Sequence, residues 1–506
     1  METAMPSRRD VVRGMSKVSA ALFVGGRAFA APADEKIAWM PATSLIPAFR
    51  SGEISPVAVL EAQIRRINRL NGKVNCITYQ HFDEALAAAR ESERRYRSGI
   101  PRPLEGITVA VKDEYAVKGW VTTMGTLLRR DAPPEQADGP VIERLRAAGA
   151  LFPFQTTVPE FYSWATTATR LWGITRNPWN LRYSPGGSSG GSGAALAAGF
   201  ATLALGSDMG GSIRIPASEC GLYGFKPPFG RVPTSEIVYE TEGPLARTFD
   251  DLNLFTQAMV GPHPMVHSSL APRLEFPKTY GPIEGWRIAF DPGSGIAPLD
   301  PSVRDALERG LAQLRALGAS IEQVDLEFHA SDFQTFNFGL FSTALGALMS
   351  QARRDPEKLT PYVRELIEKV SHLGPDELAA AEALLARYNR RVQEQVFQRG
   401  CRALIMPTLA TPLISAEHGL NPSNDSVTVD GTQVRGLTFL FTWPWNLLSR
   451  YPVVSAPIGL GPYNMPIGMQ IIGDRFDDLG AFQVASAYSR AAPPLYAGQE
   501  FPKFEG

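Results

Sequence analysis

Residues 184–227 read SPGGSSGGSGAALAAGFATLALGSDMGGSIRIPASECGLYGFKP, and the rest of the chain is organised around them. Ser188 and Ser189 stand among Gly186, Gly187, Gly190 and Gly191, and Ser212 follows the pair Gly210-Gly211. Between the clusters, Ala194 to Gly206 is a run of small residues suited to a tightly packed, buried helix and strand. Serines framed by glycine permit close backbone approach and unusual backbone angles, so two such turns predict one site assembled from both. Gly/Ser-rich runs are commonly flexible linkers. A linker, however, does not carry Ile213, Ile215, Leu222 and Phe225, nor a Lys226-Pro227 exit. A phosphate-cradling loop is excluded because no lysine follows GGSSGGSG.

Upstream, Gly106 to Asp113 reads GITVAVKD. Ile107 to Val111 is the mostly apolar, β-branched run of a buried parallel strand. It sets Lys112 at the strand's carboxyl end, where open α/β sheets place their ligands. A serine hydroxyl becomes a useful nucleophile only when a neighbouring base takes its proton. A lysine serves as that base only when neutral, so a pKa normally near ~10.4 must fall by several units, each worth ~1.4 kcal/mol; burial supplies shifts of that size. Met209, Gly210, Gly211 and Ser212 offer successive backbone N–H groups, a nest suited to the oxyanion of an acyl-transfer intermediate. Asp208 and Arg214 read as supports of that loop, Ser189 and Ser207 as hydrogen-bonding supports.

The segments GGSSGG (186–191), GSD-x-GGSIR-x-P (206–216) and CG-x-x-G-x-KP (220–227), with GITVAVKD upstream, resemble the amidase signature family. The resemblance extends from about residue 40 to the end through Glu242-Gly243-Pro244-Leu245-Ala246-Arg247 and the spaced Asn446, Pro452, Pro457, Gly459, Pro466, Gly468 and Gln470. It implies Ser212 as nucleophile, Ser188 as a bridging serine behind a cis peptide bond, and Lys112 as the base. It also implies an α/β fold: one domain over 31–506, a mixed twisted central sheet covered by helices on both faces, and a helical, substrate-covering region at about 328–400. The implied reaction is hydrolysis of a small carboxylic amide through a Ser212 acyl-enzyme; carbamates, esters and lactam oligomers are alternative substrates within the family. Tyr162 falls where some members line the acyl pocket. Two departures stand out. Glu114 replaces an asparagine often found two residues after the lysine, and the SLDQ-x-GP version of the GPLAR step, usual in the branch that makes glutaminyl-tRNA by transamidation, is absent.

A net charge of −1 gives no sign of a nucleic-acid partner. Three cysteines, Cys76, Cys220 and Cys401, make no disulfide framework, and the six histidines are scattered; chemistry without metal or cofactor is the expectation. Ser7-Arg8-Arg9-Asp10-Val11-Val12-Arg13 resembles a twin-arginine export motif. It is followed by an apolar stretch, Val18 to Gly26, too short to span a membrane, and by a small-x-small site at Ala28-Phe29-Ala30. Residues 1–30 therefore read as a signal peptide directing the protein to the periplasm or beyond; a basic N-terminus on a cytoplasmic protein is the alternative.

Elsewhere, Ser55-Pro56 opens a helix with Leu60, Ile64, Ile67 and Leu70 inward and Asn71-Gly72 as its stop. Asp300-Pro301 caps another, with Val303, Leu307, Leu311, Leu314 and Leu317 inward. Flanking strands at 286–290 and 320–324 make it a βαβ unit. Leu151 to Phe154 reads as a strand. In the 328–400 region, Leu378, Ala381, Leu385, Tyr388, Val392 and Val396 form a core stripe, and Phe333, Phe336, Phe338 and Phe341 are candidate pocket residues. Two rival readings remain. Gly186 to Gly190 also satisfies the G-x-S-x-G nucleophile elbow, with Ser188 attacking and His418 or His372 as base, yet Arg182 to Pro185 makes a poor preceding strand. The other rival is an exported protein that binds a small ligand without catalysis.

Overall fold

The computed structural model describes residues 32–234, 236–344, 352–353, 355–370, 374–420, 425–492, 495–496 and 501–506. The segment carrying the export motif and cleavage site lies outside them, as do His372 and the side chains of Phe338 and Phe341.

Eleven strands form one mixed sheet. In chain order they are β1 (Ile77–Gln80), β2 (Val109–Lys112), β3 (Phe154–Thr156), β4 (Leu203–Asp208), β5 (Tyr223–Lys226), β6 (Thr241–Ala246), β7 (Arg287–Phe290), β8 (Ser320–Gln323), β9 (Ala403–Pro407), β10 (Val453–Leu460) and β11 (Pro466–Ile472). Side by side they run β1-β3-β2-β4-β6-β5-β10-β11-β9-β7-β8. The pairings β3–β2–β4 and β9–β7–β8 are parallel and the others antiparallel.

Strand alternation splits the core between the two faces of this sheet. Val109, Val111, Leu203 and Leu205 join an apolar cluster with Leu252, Phe255, Leu311 and Phe482 of the helices Phe249–Met259, Pro301–Ala316 and Asp478–Ala491. Ala110 and Ala204 point the other way, into a cluster built on the helix Gly190–Ala197. That helix comes in close: a Cβ on Gly191 would lie 2.4 Å from the Thr157 carbonyl oxygen. Close approach is the packing reason for the small residues of 190–206.

The βαβ unit forms as read. The Asp300 side chain accepts from the Ser302 amide at 2.9 Å, and Val303, Leu307, Leu311 and Leu314 are buried, with Leu317 half-buried at the helix end. Ser55 caps its helix, accepting from Ala58 N at 3.1 Å. Three local expectations are corrected. The helix from Pro56 passes through Asn71-Gly72 to Val74, because Asn75 takes the left-handed turn (φ 56°) instead. The strand expected from Leu151 forms at Phe154–Thr156, leaving Leu151 in a single bridge to Thr108. In the helix Pro375–Val392 it is Leu384 that is buried (3% exposed) and Leu385 that faces out (37%). No helix of the described residues is long and apolar enough to cross a membrane.

Candidate active site

Lys112 ends β2 and is fully buried. Two residues beyond Ala110, it lies on the face where the turn into helix Gly190–Ala197 begins. Its Nζ donates to Ser188 Oγ at 2.9 Å and to Ser207 Oγ at 2.7 Å, and pairs with Glu114 Oε2 at 2.8 Å. Ser207 Oγ donates onward to the same Glu114 oxygen at 2.7 Å. The Tyr162 ring lies 5.0 Å from Nζ, and its hydroxyl donates to the Asp113 carbonyl at 3.1 Å. Burial, reinforced by Glu114 and Asp113, pushes that phenol well above its usual range, so it stays a neutral donor. The Asp113 carboxyl is engaged elsewhere, accepting from Thr123 N at 2.8 Å and from the Thr123 hydroxyl. Burial raises it to about 7, against those hydrogen bonds.

The two serine turns meet directly. The Gly187–Ser188 peptide is cis, and Ser189 N donates to the Ser212 carbonyl at 3.3 Å. The Ser189 hydroxyl accepts from Ser207 N at 3.3 Å and donates to Ser207 O at 3.4 Å, tying its turn to β4. Ser188 is buried, and Ser212 is partly open toward the same cavity.

The loop carrying Ser212 is held by one buried ion pair. Asp208 and Arg214 are both fully buried and meet at 2.8 and 2.9 Å. Burial pushes the Asp208 carboxyl up, but the Arg214 charge and the hydrogen bonds from Arg214 and Asn446 outweigh it and hold the group below its ordinary range. Asp208 also accepts from Gly211 N at 2.9 Å and Ile213 N at 3.2 Å. This corrects the expected oxyanion nest. The Gly211 amide is turned into the clamp, and Gly211 does not line the cavity, whereas Met209, Gly210 and Ser212 do. Gly211 has φ +127°, and a Cβ there would lie 2.2 Å from Thr442 Oγ1.

A cavity of about 90 Å³ opens over Ser188 and Ser212, walled by Phe161, Tyr162, Trp164, Ile215, Phe333 and Phe336. A second space of about 400 Å³ beside helix Pro361–Val370 shares Ser163, Trp164, Phe333, Asn337 and Leu437 with its wall. Among the described residues no His/Cys/Asp/Glu group is arranged to hold a metal ion.

Sequence reasoning missed three partners. Glu114 was visible as a departure from the family pattern, but not its contact with Lys112. Asn446 and Gln470 were visible as pattern positions, but not their task of accepting from Arg214, at 2.7 and 2.6 Å. The elbow reading does not assemble around His418: the ring packs between Trp164 and Phe439 and does not line the cavity over Ser188. Residues Arg182 to Pro185 supply only the isolated bridge Tyr183–Ser415 where an elbow needs a strand.

A mixed α/β sheet presenting a lysine and two serine turns beneath an apolar cleft is the arrangement of a serine amidohydrolase. The amidase family model matches residues 58–480, and the chain belongs to the amidase signature family. An acylamidase of Rhodococcus erythropolis is 30% identical over 474 residues, covering 91% of this chain and 97% of its own. One subunit of the glutamyl-tRNA(Gln) amidotransferase of Geobacter metallireducens is 32% identical over 471 residues, covering 87% of this chain and 94% of its own. Among solved structures, that of a bacterial aryl acylamidase of the same family superposes with TM-score 0.84 at 28% identity, covering 92% of this chain and 99% of that one. A 6-aminohexanoate cyclic dimer hydrolase superposes at 0.80, also at 28% identity and with the same coverage. The chain is an amidase, a hydrolase of amide C–N bonds.

Proposed function

We propose that the substrate is a small amide with an apolar acyl or aryl part, cleaved through an acyl-enzyme on Ser212. The observation that carries this reading is the Lys112–Ser188 hydrogen bond at 2.9 Å beneath an aromatic cleft shared with Ser212. Neutral Lys112 takes a proton from Ser188 as Ser188 takes one from Ser212, and the Ser212 oxygen attacks the carbonyl carbon. The amides of Met209, Gly210 and Ser212 receive the developing oxyanion; one lost donor in such a hole typically costs about 10²–10³ in rate. The relay returns its proton to the departing amine, and water then releases the acid. Helix Asp332–Ala344 contributes Phe333, Phe336 and Asn337 to the wall of the cleft, which supports a substrate-covering role for this region.

Residues 1–30, with their twin-arginine-like motif and Ala28-Phe29-Ala30 site, support export to the periplasm. N-terminal sequencing of the protein from a periplasmic extract tests this, and an intact Met1 on a cytoplasmic protein overturns it. Likeness to the cyclic dimer hydrolase favours a lactam-oligomer substrate as the second reading. The substrate assay sets aryl amides, linear aliphatic amides, carbamates, esters and cyclic lactam oligomers side by side. Linear or aryl amides should be turned over best, with Ser212→Ala inactive. Preference for the cyclic lactam selects the second reading. Amidation of glutamyl-tRNA without amide hydrolysis contradicts both.

A further inference from the structure

We propose that Glu114 is a positioning residue that holds Lys112 protonated in the resting enzyme and so sets the pH at which the relay switches on. The inference rests on the proposed Ser212–Ser188–Lys112 relay and acts through Lys112. Nζ has three close partners, Ser188 Oγ at 2.9 Å, Ser207 Oγ at 2.7 Å and Glu114 Oε2 at 2.8 Å. An ammonium has three donors and no acceptor, so this environment matches the charged form. The hydroxyl of Ser207 cannot substitute for the carboxylate, because it already donates to Glu114 at 2.7 Å while receiving from Lys112. Lys112, Ser207 and Glu114 therefore close a ring in which the carboxylate is the only anionic member.

Other charged and titratable groups surround the ring, but the ion pair of Nζ is with Glu114. Asp113 is turned onto Thr123, with the Arg129 charge also acting on it. Tyr162 donates to the Asp113 carbonyl, and Tyr115 donates to the Gly206 carbonyl at 2.8 Å. On β6, Glu242 stands opposite Ser207 in register, with burial raising its carboxyl and Thr234 and Lys112 opposing that rise. Glu240 lines the cavity beside Glu114. In the resting ammonium, Ser188 Oγ accepts a hydrogen bond from Lys112, the reverse of what catalysis requires. As pH rises one Nζ–H bond breaks and its proton passes to water. The nitrogen lone pair then faces Ser188 and can accept its proton.

The test needs no identified substrate. A fluorophosphonate probe labels the activated serine, and its rate is followed against pH for the wild type, Glu114→Gln and Glu114→Asn, each checked for folding by Tm. The wild-type rate should climb with pH. In both variants the climb should move to lower pH by about one unit or more, since an opposite charge within about 4–6 Å shifts a titrating group by about 1–3 units. At a pH low on the wild-type climb, the variants should label up to about ten times faster. A climb that stays in place or moves upward in a folded variant overturns the role of Glu114, including the case where only the plateau falls. Lys112→Ala, run in parallel, separates the two levels. Wild-type labelling by Lys112→Ala overturns the relay and the role of Glu114 with it. Lost labelling there, with an unmoved climb in Glu114→Gln, overturns Glu114 alone.

Discussion

Around Ser212 the loop makes unequal demands on its two glycines, and they can be separated by substitution. Gly211→Ala would drive a Cβ to 2.2 Å from Thr442 Oγ1 at φ +127°, while a Cβ on Gly210 meets nothing within 4 Å. Thermal melts should therefore show Gly210→Ala folding close to wild type and Gly211→Ala clearly destabilised; equal Tm values would contradict the close approach. The Asp208–Arg214 pair is the second sensitive point. Removing one partner of a buried pair costs about 3–5 kcal/mol, so Asp208→Asn should lower stability by that order at neutral pH. The sign with pH follows from the carboxyl being held below its ordinary 3.8. Its contribution is fully present above 3.8 and is lost as pH falls below that value. Denaturant unfolding from pH 7 to pH 2 should show a wild-type loss that Asp208→Asn lacks.

At the scale of elements, Tyr362 helps fasten the helix Pro361–Val370 beside the cleft. Tyr362 Oη accepts from Glu160 N at 2.7 Å and donates to the Ala168 carbonyl at 2.9 Å, and the ring stacks on Trp164 at 5.4 Å. Tyr362→Phe keeps the stack but strands a buried donor and acceptor, at about 1–3 kcal/mol. Tm should fall, and KM for bulky amides should rise more than kcat changes; an unchanged KM would mean that this helix does not shape the cleft. Helix starts were legible in the sequence because Ser55-Pro56 and Asp300-Pro301 act through bonds only two or three residues long. Helix ends and faces were less so. Asn71-Gly72 and Asn75 are equally good local stops, and Leu384 and Leu385 suit the same 3.6-residue period equally; neighbours distant in sequence decide both. The same limit applied at the site. Lys112, Ser188 and Ser212 could be picked out because their flanking residues form long ordered patterns. The diversion of the Gly211 amide into Asp208, and the contact of Glu114 with Lys112, depend on how turns from separate strands face each other.

Across the whole molecule, the C-terminal strands complete a site whose proposed reactive residues come from the N-terminal half. Arg214 reaches the Thr442 carbonyl at 2.8 Å as well as Asn446 and Gln470, so two members of the widely spaced pattern after residue 440 serve a single guanidinium. Lys226, buried beside it, is bound to the Tyr451 carbonyl at 3.0 Å. Burial, then the Arg214 charge, lowers its pKa from 10.5 to about 7. Between those values the unfolded chain binds the proton and the folded one does not, so this group adds stability as pH rises. Relative to Lys226→Met, the wild type should gain stability between pH 7 and 10.5; parallel curves would contradict that assignment. The central claim, that Lys112 works through Ser188 to make Ser212 the nucleophile, is tested most directly by mapping the peptide that a fluorophosphonate modifies. The expected result is modification at Ser212 and its loss in Lys112→Ala. Modification at Ser188 or Ser189, or labelling that survives Lys112→Ala, would contradict it.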